Sequence, residues 1–343
     1  MPAGGAETQI YLLARALSNR GRRVCIATDE AGAELPHEVD GIVIRARRRA
    51  PARGRGLVPV AHDFAHVART LAPIDADVFV QRSAGVLTGY VGLCARGKKR
   101  RFVYSSSSVI DFDFARVAGK RSRLWLYGLG LRLAERIVVQ TLEQERLCQA
   151  HLGREAVVIR SIAEPAELRK ARPEAFLWVG NLAPAKRAEA YLGLARALPE
   201  ARFRLVAAAS PAERRRLEAA AGGIENVELL PPRPRAELMG LIESAVAVVN
   251  TADYEGLPNV FLEGWSRGVP TLSLTHDPDG VIERERLGGF ARGDERRLAS
   301  LASRLWQERG AQTRVAARCR AYVQREHAPE QIAERWIQAL RLA

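Results

Sequence analysis

Two rhythms of hydrophobic and polar positions alternate along this chain. Short aliphatic runs punctuate longer stretches whose apolar positions recur every three or four residues. In the first half the short runs fall at 24–27, 41–45, 78–80, 101–104, 137–139 and 157–159. Helical spacing covers 7–20, which Gly21 stops, then 62–71, 85–96, 121–134 and 142–152. Residues 163–174 are polar, contain Pro165 and Pro173, and lose the periodicity, so a domain boundary is expected there. The rhythm then restarts. Strands are expected at 176–179, 203–206, 227–230, 245–249 and 269–274, and helices at 187–198, 211–221, 235–242, 298–309, 313–325 and 329–342. In the last helix Ile332, Trp336 and Leu340 share one face. Strands that alternate with helices predict an α/β protein with parallel sheets, laid out twice in tandem.

One feature of the first layout is out of order. Gly4-Gly5-Ala6-Glu7 opens a helix with almost nothing before it. In doubly wound sheets such a glycine loop follows a central first strand. Met1-Pro2-Ala3 is too short to supply that strand, so the first sheet is expected to lack it and to expose two inner edges.

Composition narrows the function classes. The length of 343 residues suffices for two domains, and no run of eighteen apolar residues is present. A charged-then-apolar export signal is not seen at the start, and the four cysteines (Cys25, Cys94, Cys148, Cys319) are scattered without metal-type spacing. Both points lead to the expectation of a reducing, cytoplasmic compartment and no bound metal. The net charge is +14 and uneven: residues 1–165 hold 26 Lys and Arg against 16 Asp and Glu, the remainder 27 against 23. The excess gathers at Arg45, Arg47, Arg48, Arg49, Arg53 and Arg55, and again at Arg96, Lys98, Lys99, Arg100 and Arg101. An anionic membrane surface or an anionic acceptor fits such patches. Nucleic acid fits less well, because aromatics are only 6% and none interleave with the basic runs.

The candidate chemistry lies between two apolar strands. Tyr254-Glu255-Gly256-Leu257-Pro258-Asn259-Val260-Phe261-Leu262-Glu263 places one glutamate in a Gly/Pro turn and a second in the opening turns of a helix. A strand, a loop and a helix N-terminus form an anion site, since free N–H groups and the helix dipole face the ligand. Carboxylates beside it suit sugar hydroxyls. A second glycine loop, Trp178-Val179-Gly180-Asn181-Leu182 followed by Lys186 and Arg187, ends the first strand of the second half.

These motifs, in this order, resemble those of retaining GT-B glycosyltransferases of family 4, also called group 1. The resemblance covers nearly the whole chain. It implies two Rossmann-like doubly wound domains facing a cleft. Residues 1–165 would form the acceptor-side domain, completed by 326–343, and residues 166–325 the nucleotide-sugar domain. Glu255 and Lys186 would be the catalytic residues, the glutamate on the donor sugar and the lysine on the departing diphosphate. Gly4, Gly5, Gly180, Asn181, Arg187, Gly256, Leu257, Pro258, Asn259, Val260 and Glu263 would bind the donor, with Glu263 on the ribose. The resemblance also implies no metal and no cofactor beyond the donor, a UDP-, GDP- or other nucleoside-diphosphate sugar. The acceptor would be a glycan, a lipid-linked sugar or a small molecule, reached in the cytoplasm or at the inner membrane face.

The sequence departs from the family in two places. Asn181 stands where many members carry an arginine, which leaves Lys186 as the main cation, with Arg187 as the nearest substitute. The loop at 81–85 lacks the usual histidine; Arg82 and Ser83 would contact donor or acceptor instead, and with Ser105 they are the acceptor-side candidates. A sugar-nucleotide epimerase, a phosphorylase, or a silent scaffold of the same fold is the alternative.

Overall fold

The structure is a computed structural model and describes residues 4–29, 36–47, 58–114 and 121–340. The basic stretch 48–57 lies outside them, and with it Arg48, Arg49, Arg53 and Arg55. The chain divides into two compact units, Met1–Ile162 with Pro329–Ala343, and Ala163–Ala328.

The first unit opens with helix α1 (Gly5–Ser18). It continues through strands β1 (Cys25–Asp29), β2 (Glu38–Val39) and β3 (Ile42–Arg47), helix α2 (Val58–Leu71), β4 (Val78–Arg82) and α3 (Val86–Gly97). After β5 (Arg101–Ser105), α4 (Arg121–Leu133), β6 (Arg136–Val139) and α5 (Leu142–Leu152), it reaches β7 (Val157–Val158). Its strands form two separate sheets, ordered β1-β3-β2 and β4-β5-β6-β7. The four-stranded sheet is parallel throughout. Strands β1 and β4 are each paired along one edge only among the described residues. Helix α1 packs on both sheets: it touches β1 and β3, and its Leu12 and Ala16 share a cluster with Val103 and Val138.

Strand alternation sorts the core of this unit onto two faces. Phe102 and Tyr104 of β5, with Ile137 and Val139 of β6, join the cluster that includes Tyr127 and Leu131 of α4 and Cys148 of α5. Val103 and Val138 point the other way, toward α1. Gln9 of α1 reaches the main chain of Ile162 just beyond β7. Its Nε2 donates to the Ile162 carbonyl at 2.9 Å, and its Oε1 accepts from the Ile162 N–H at 2.8 Å.

The second unit holds β8 (Ala175–Asn181), α6 (Ala188–Ala197), β9 (Phe203–Ala208), α7 (Pro211–Ala221), β10 (Val227–Leu230) and α8 (Arg235–Glu243). There follow β11 (Ala245–Asn250), α9 (Asn259–Ser266), β12 (Thr271–Ser273), α10 (Val281–Arg284), β13 (Gly288–Phe290), α11 (Glu295–Gln307) and α12 (Thr313–Glu326). All six strands pair in parallel, in the order β10-β9-β8-β11-β12-β13. Every residue of β11 is buried, as a central strand covered on both faces requires. Its register against β8 shifts between Ala245 and Val248. Phe176 and Trp178 face the cluster of α6, α7 and α11, whereas Leu177 faces that of α8, α9 and α12. Ser210 and Glu213 form a capping box that starts α7. The final helix, α13 (Pro329–Leu340), returns to the first unit and buries Ile332, Ala333, Trp336 and Leu340 against α1 and its cluster.

Candidate active site

In the second unit the strand order reverses between β8 and β11. Chain growth runs outward from β8 through β9 to β10, then returns to β11. Loops at the carboxyl ends of such a strand pair diverge and leave a crevice where ligands bind. The two glycine-bearing loops singled out in the sequence leave the sheet there, after Asn181 of β8 and after Asn250 of β11.

The β8 loop is fixed from below. Trp178 is buried, and its Nε1 donates to Thr251 Oγ1 at 3.0 Å. That hydroxyl lies 2.8 Å from the Lys186 carbonyl and 2.9 Å from the Arg187 carbonyl. The Asp253 N–H donates to the Ala185 carbonyl at 2.9 Å. The loop is therefore laced to the β11 end before any ligand arrives. Gly180 sits over the indole, and a Cβ there would come within 2.9 Å of Trp178 Cη2. Asn181 Oδ1 accepts from the Ala183 N–H at 3.2 Å, which leaves the side-chain amide hydrogens as its donors. Arg187 adopts a left-handed backbone (φ 49°) at the start of α6 and pairs with Glu295 at 2.9 Å and Asp253 at 3.5 Å. Those two carboxylates already engage the cation named as a substitute for the absent arginine.

Lys186 Nζ meets Glu255 Oε1 in a close ion pair, and both side chains are only partly exposed. Gly256, Leu257 and Pro258 carry the chain from Glu255 to the N-terminus of α9, where Asn259 and Val260 form the first turn. Leu257 is buried. Glu263 lies further along the same helix, and its Oε1 accepts from Arg235 Nη1 at 2.8 Å. Arg235 Nη2 donates to Glu164 at 2.7 Å. Burial opposes the charge on Arg235, but hydrogen bonds and charge from Glu164 and Glu263 outweigh it and raise its pKa. His276, buried beside the turn, places Nε2 2.8 Å from the Gly256 carbonyl. Thr251, Arg235, Glu164 and His276 were not among the residues expected from the sequence.

In the first unit Gly4 caps α1 in extended backbone (φ −126°, ψ 166°), a conformation open to any residue, and Gly5 begins the helix. A Cβ on Gly4 would meet the mobile end of Glu7. The three acceptor-side candidates come together at the ends of β4 and β5. Arg82 pairs in register with Ser105, its Nη1 donates to Ser105 Oγ at 2.9 Å, and the Ser83 N–H donates to the Ser105 carbonyl at 3.0 Å. The loop after β5 is anchored by buried Asp111, which accepts from Tyr104 Oη at 3.0 Å, Ser106 Oγ at 3.0 Å and the Ser107 N–H at 2.7 Å. No trio of His, Cys, Asp or Glu among the described residues is grouped to hold a metal ion.

Two family profiles match in the order the motifs predicted. Residues 4–163 match the glycosyl transferase 4-like domain, and residues 173–308 match the glycosyl transferases group 1 domain. The chain belongs to the group 1 glycosyltransferases. Its two halves are Rossmann-like and together make the GT-B fold of solved glycosyltransferases. Sucrose-phosphate synthase from Thermosynechococcus elongatus superimposes with a TM-score of 0.80 at 18% identity, over 99% of this chain and 93% of that one. HepE from Anabaena, in complex with UDP and glucose, gives a TM-score of 0.75 at 16% identity, over 100% and 97%. WaaG, a glycosyltransferase involved in lipopolysaccharide biosynthesis, gives 0.73 at 18%, over 97% and 96%. Identities this low establish a shared fold. A search of curated proteins finds no significant match in sequence.

Proposed function

We propose that this glycosyltransferase transfers a sugar from a nucleoside-diphosphate sugar with retention of anomeric configuration and without a metal ion. The Lys186–Glu255 ion pair, held at the β8/β11 switch point by pre-fixed loops, carries this reading. In the donor-free enzyme the pair keeps both charges neutralised in a partly desolvated place. An arriving diphosphate takes over the ammonium of Lys186. The freed Glu255 carboxylate then accepts hydrogen bonds from donor-sugar hydroxyls. Glu263, steadied by Arg235, accepts from the ribose. As the glycosidic bond breaks, negative charge builds on the diphosphate. Lys186 and the first-turn N–H groups of α9 stabilise that charge where it develops, which is the role a metal would otherwise fill. Pro258 gives no N–H to this task, so the donors begin at Asn259.

The acceptor falls to the first unit. A glycan, a lipid-linked sugar or a small molecule would serve, and the net charge of +14 supports work at an anionic cytoplasmic membrane face. In the described residues no helix is long and apolar enough to cross a membrane.

The test is release of nucleoside diphosphate from a panel of UDP-, GDP- and ADP-sugars, with and without a chelator. Turnover of one donor, unchanged by chelation, is expected. Lys186→Ala should cost about 2–4 kcal/mol of transition-state stabilisation, as deleting one preorganised donor does. A loss of less than about threefold would remove Lys186 from the leaving-group role.

A further inference from the structure

Arg82 stands at the end of β4 with most of its donor capacity unspent. A guanidinium carries five N–H donors. Among the described residues one is used, the Nη1 bond to Ser105 Oγ at 2.9 Å. Nε is buried and has no hydrogen-bond partner. No carboxylate pairs with it among those residues. Asp111, the acid close enough to act on it, is already engaged by Tyr104, Ser106 and two main-chain N–H groups. Burial lowers the Arg82 pKa to about 10, and Asp111 then Tyr104 only partly offset it. Arg82 is partly exposed, its Nε is sealed from water without an acceptor, and a bidentate oxyanion is the acceptor that the fork of the guanidinium fits.

The loop beyond Arg82 is a fixed turn. Ser83 takes a left-handed backbone (φ 77°), a conformation that a non-glycine residue holds at some cost. Gln81 Nε2 holds that turn by donating to the Arg82 carbonyl at 2.6 Å and the Ser83 carbonyl at 2.9 Å. Those carbonyls are thereby occupied by side-chain amide hydrogens. Helix α3 starts directly afterwards at Val86, with Gly85 at its N-cap and no side-chain cap. The Thr88 N–H is spent on the Gly85 carbonyl at 3.1 Å, so the first turn offers the N–H groups of Val86 and Leu87 and the positive end of the helix dipole.

We infer that the β4–α3 turn is an anion subsite in which Arg82, Ser105 and the α3 N-terminus bind a phosphate or carboxylate group of the acceptor. The acceptor class is thus an anionic sugar or polyol, such as a phosphate monoester, rather than a neutral glycan. This rests on the chain acting as a glycosyltransferase. It does not rest on the donor residues of the second unit, and the two can fail separately.

Calorimetry with the whole chain tests it. The probes are inorganic phosphate, glycerol phosphate, glucose 6-phosphate, glucuronate and neutral glucose. Wild type should bind the anionic probes and not glucose. R82Q should weaken the anionic probes at least tenfold while leaving nucleoside-diphosphate affinity unchanged, and R82K should fall between, having charge without the fork. In wild type labelled with 15N, the Arg82 Nε–H resonance, assigned by its loss in R82Q, should shift on phosphate titration. If R82Q does not fold, the R82K comparison and the titration of wild type decide the matter. Tighter binding of glycerol phosphate or glucose 6-phosphate than of inorganic phosphate would mark an acceptor group. Equal binding of phosphate by wild type and R82Q, or a phosphate signal abolished by K186A, would overturn the assignment.

Discussion

At the residue scale the account turns on side chains that depend on each other in series. Trp178 supports Gly180 from below, Thr251 holds Trp178, and the same hydroxyl holds the carbonyls of Lys186 and Arg187. Gly180→Ala would drive a methyl into an indole that cannot swing away without losing its bond to Thr251. The variant is expected to lose about 1–3 kcal/mol of stability, the usual cost of overpacking, and to bind nucleoside diphosphate more weakly. Urea unfolding and calorimetry check the two effects. Unchanged stability would mean that the ring is free to move. Glu255, Glu263, Lys186 and Gly180 were legible because each motif is contiguous in sequence. Arg235 and His276 were not, because only the fold brings them to Glu263 and Gly256. One signal for Arg235 was available: it opens α8, where a cation opposes the helix dipole.

At the element scale two features of the first unit stand out. Helices α3 and α4 cross at glycines, and a Cβ on Gly130 would lie 2.4 Å from the Thr88 carbonyl carbon. That neighbour is backbone and cannot rotate aside. Gly130→Ala should therefore lower the unfolding free energy by at least about 1–3 kcal/mol. A urea midpoint equal to that of wild type would mean the helices are not so close. The second feature is that β1 and β4 are each paired along one edge only among the described residues. A chain extended ahead of Gly4 by roughly five to eight Val/Ile/Leu-rich residues, a common strand length, should show a higher urea midpoint as that strand pairs with them. Equal midpoints would show that the two sheets need no strand between them. The split of the first unit into two sheets among the described residues is in line with the glycine loop that opens α1. Other elements were hidden. Strand β13 is Gly288-Gly289-Phe290, with no β-branched residue to mark it. A Cβ on Gly288 would fall 1.8 Å from the Thr271 carbonyl oxygen, so the glycine that permits this pairing also conceals it. Helix α2 begins at Val58 rather than at His62, because periodicity says little where no cap residue marks the start.

At the scale of the whole molecule, charge is the property most visible in sequence and the one most altered by folding. The basic run at 98–101 looked like a membrane patch. In the fold Lys98 Nζ donates to the carbonyls of Ala72 and Ile74, Arg100 pairs with Asp75 and Asp77, and Arg101 pairs with Glu135. Much of that run is thus spent within the first unit. Arg47 and the basic residues after it remain the stronger candidates for membrane contact, at about 1 kcal/mol for each residue near an anionic surface. Flotation with phosphatidylserine vesicles is expected to show binding that falls as salt rises, and substitution of Arg47, Arg48 and Arg49 should weaken it more than substitution of Lys98 and Lys99. Binding that ignores salt, or that is absent, would make these residues ordinary solvated surface. The tandem α/β layout was legible because each unit keeps its own alternation of strand and helix.

The most direct measurement is calorimetric titration of wild type, Lys186→Ala and Glu255→Gln with a nucleoside diphosphate and with its sugar conjugate. The account predicts that wild type binds both. Lys186→Ala should lose about tenfold or more in diphosphate affinity, roughly 1.4 kcal/mol. Glu255→Gln should keep the diphosphate and lose the added affinity of the sugar. Wild-type affinity for both ligands in both variants would contradict the central claim that this ion pair opens to receive the donor.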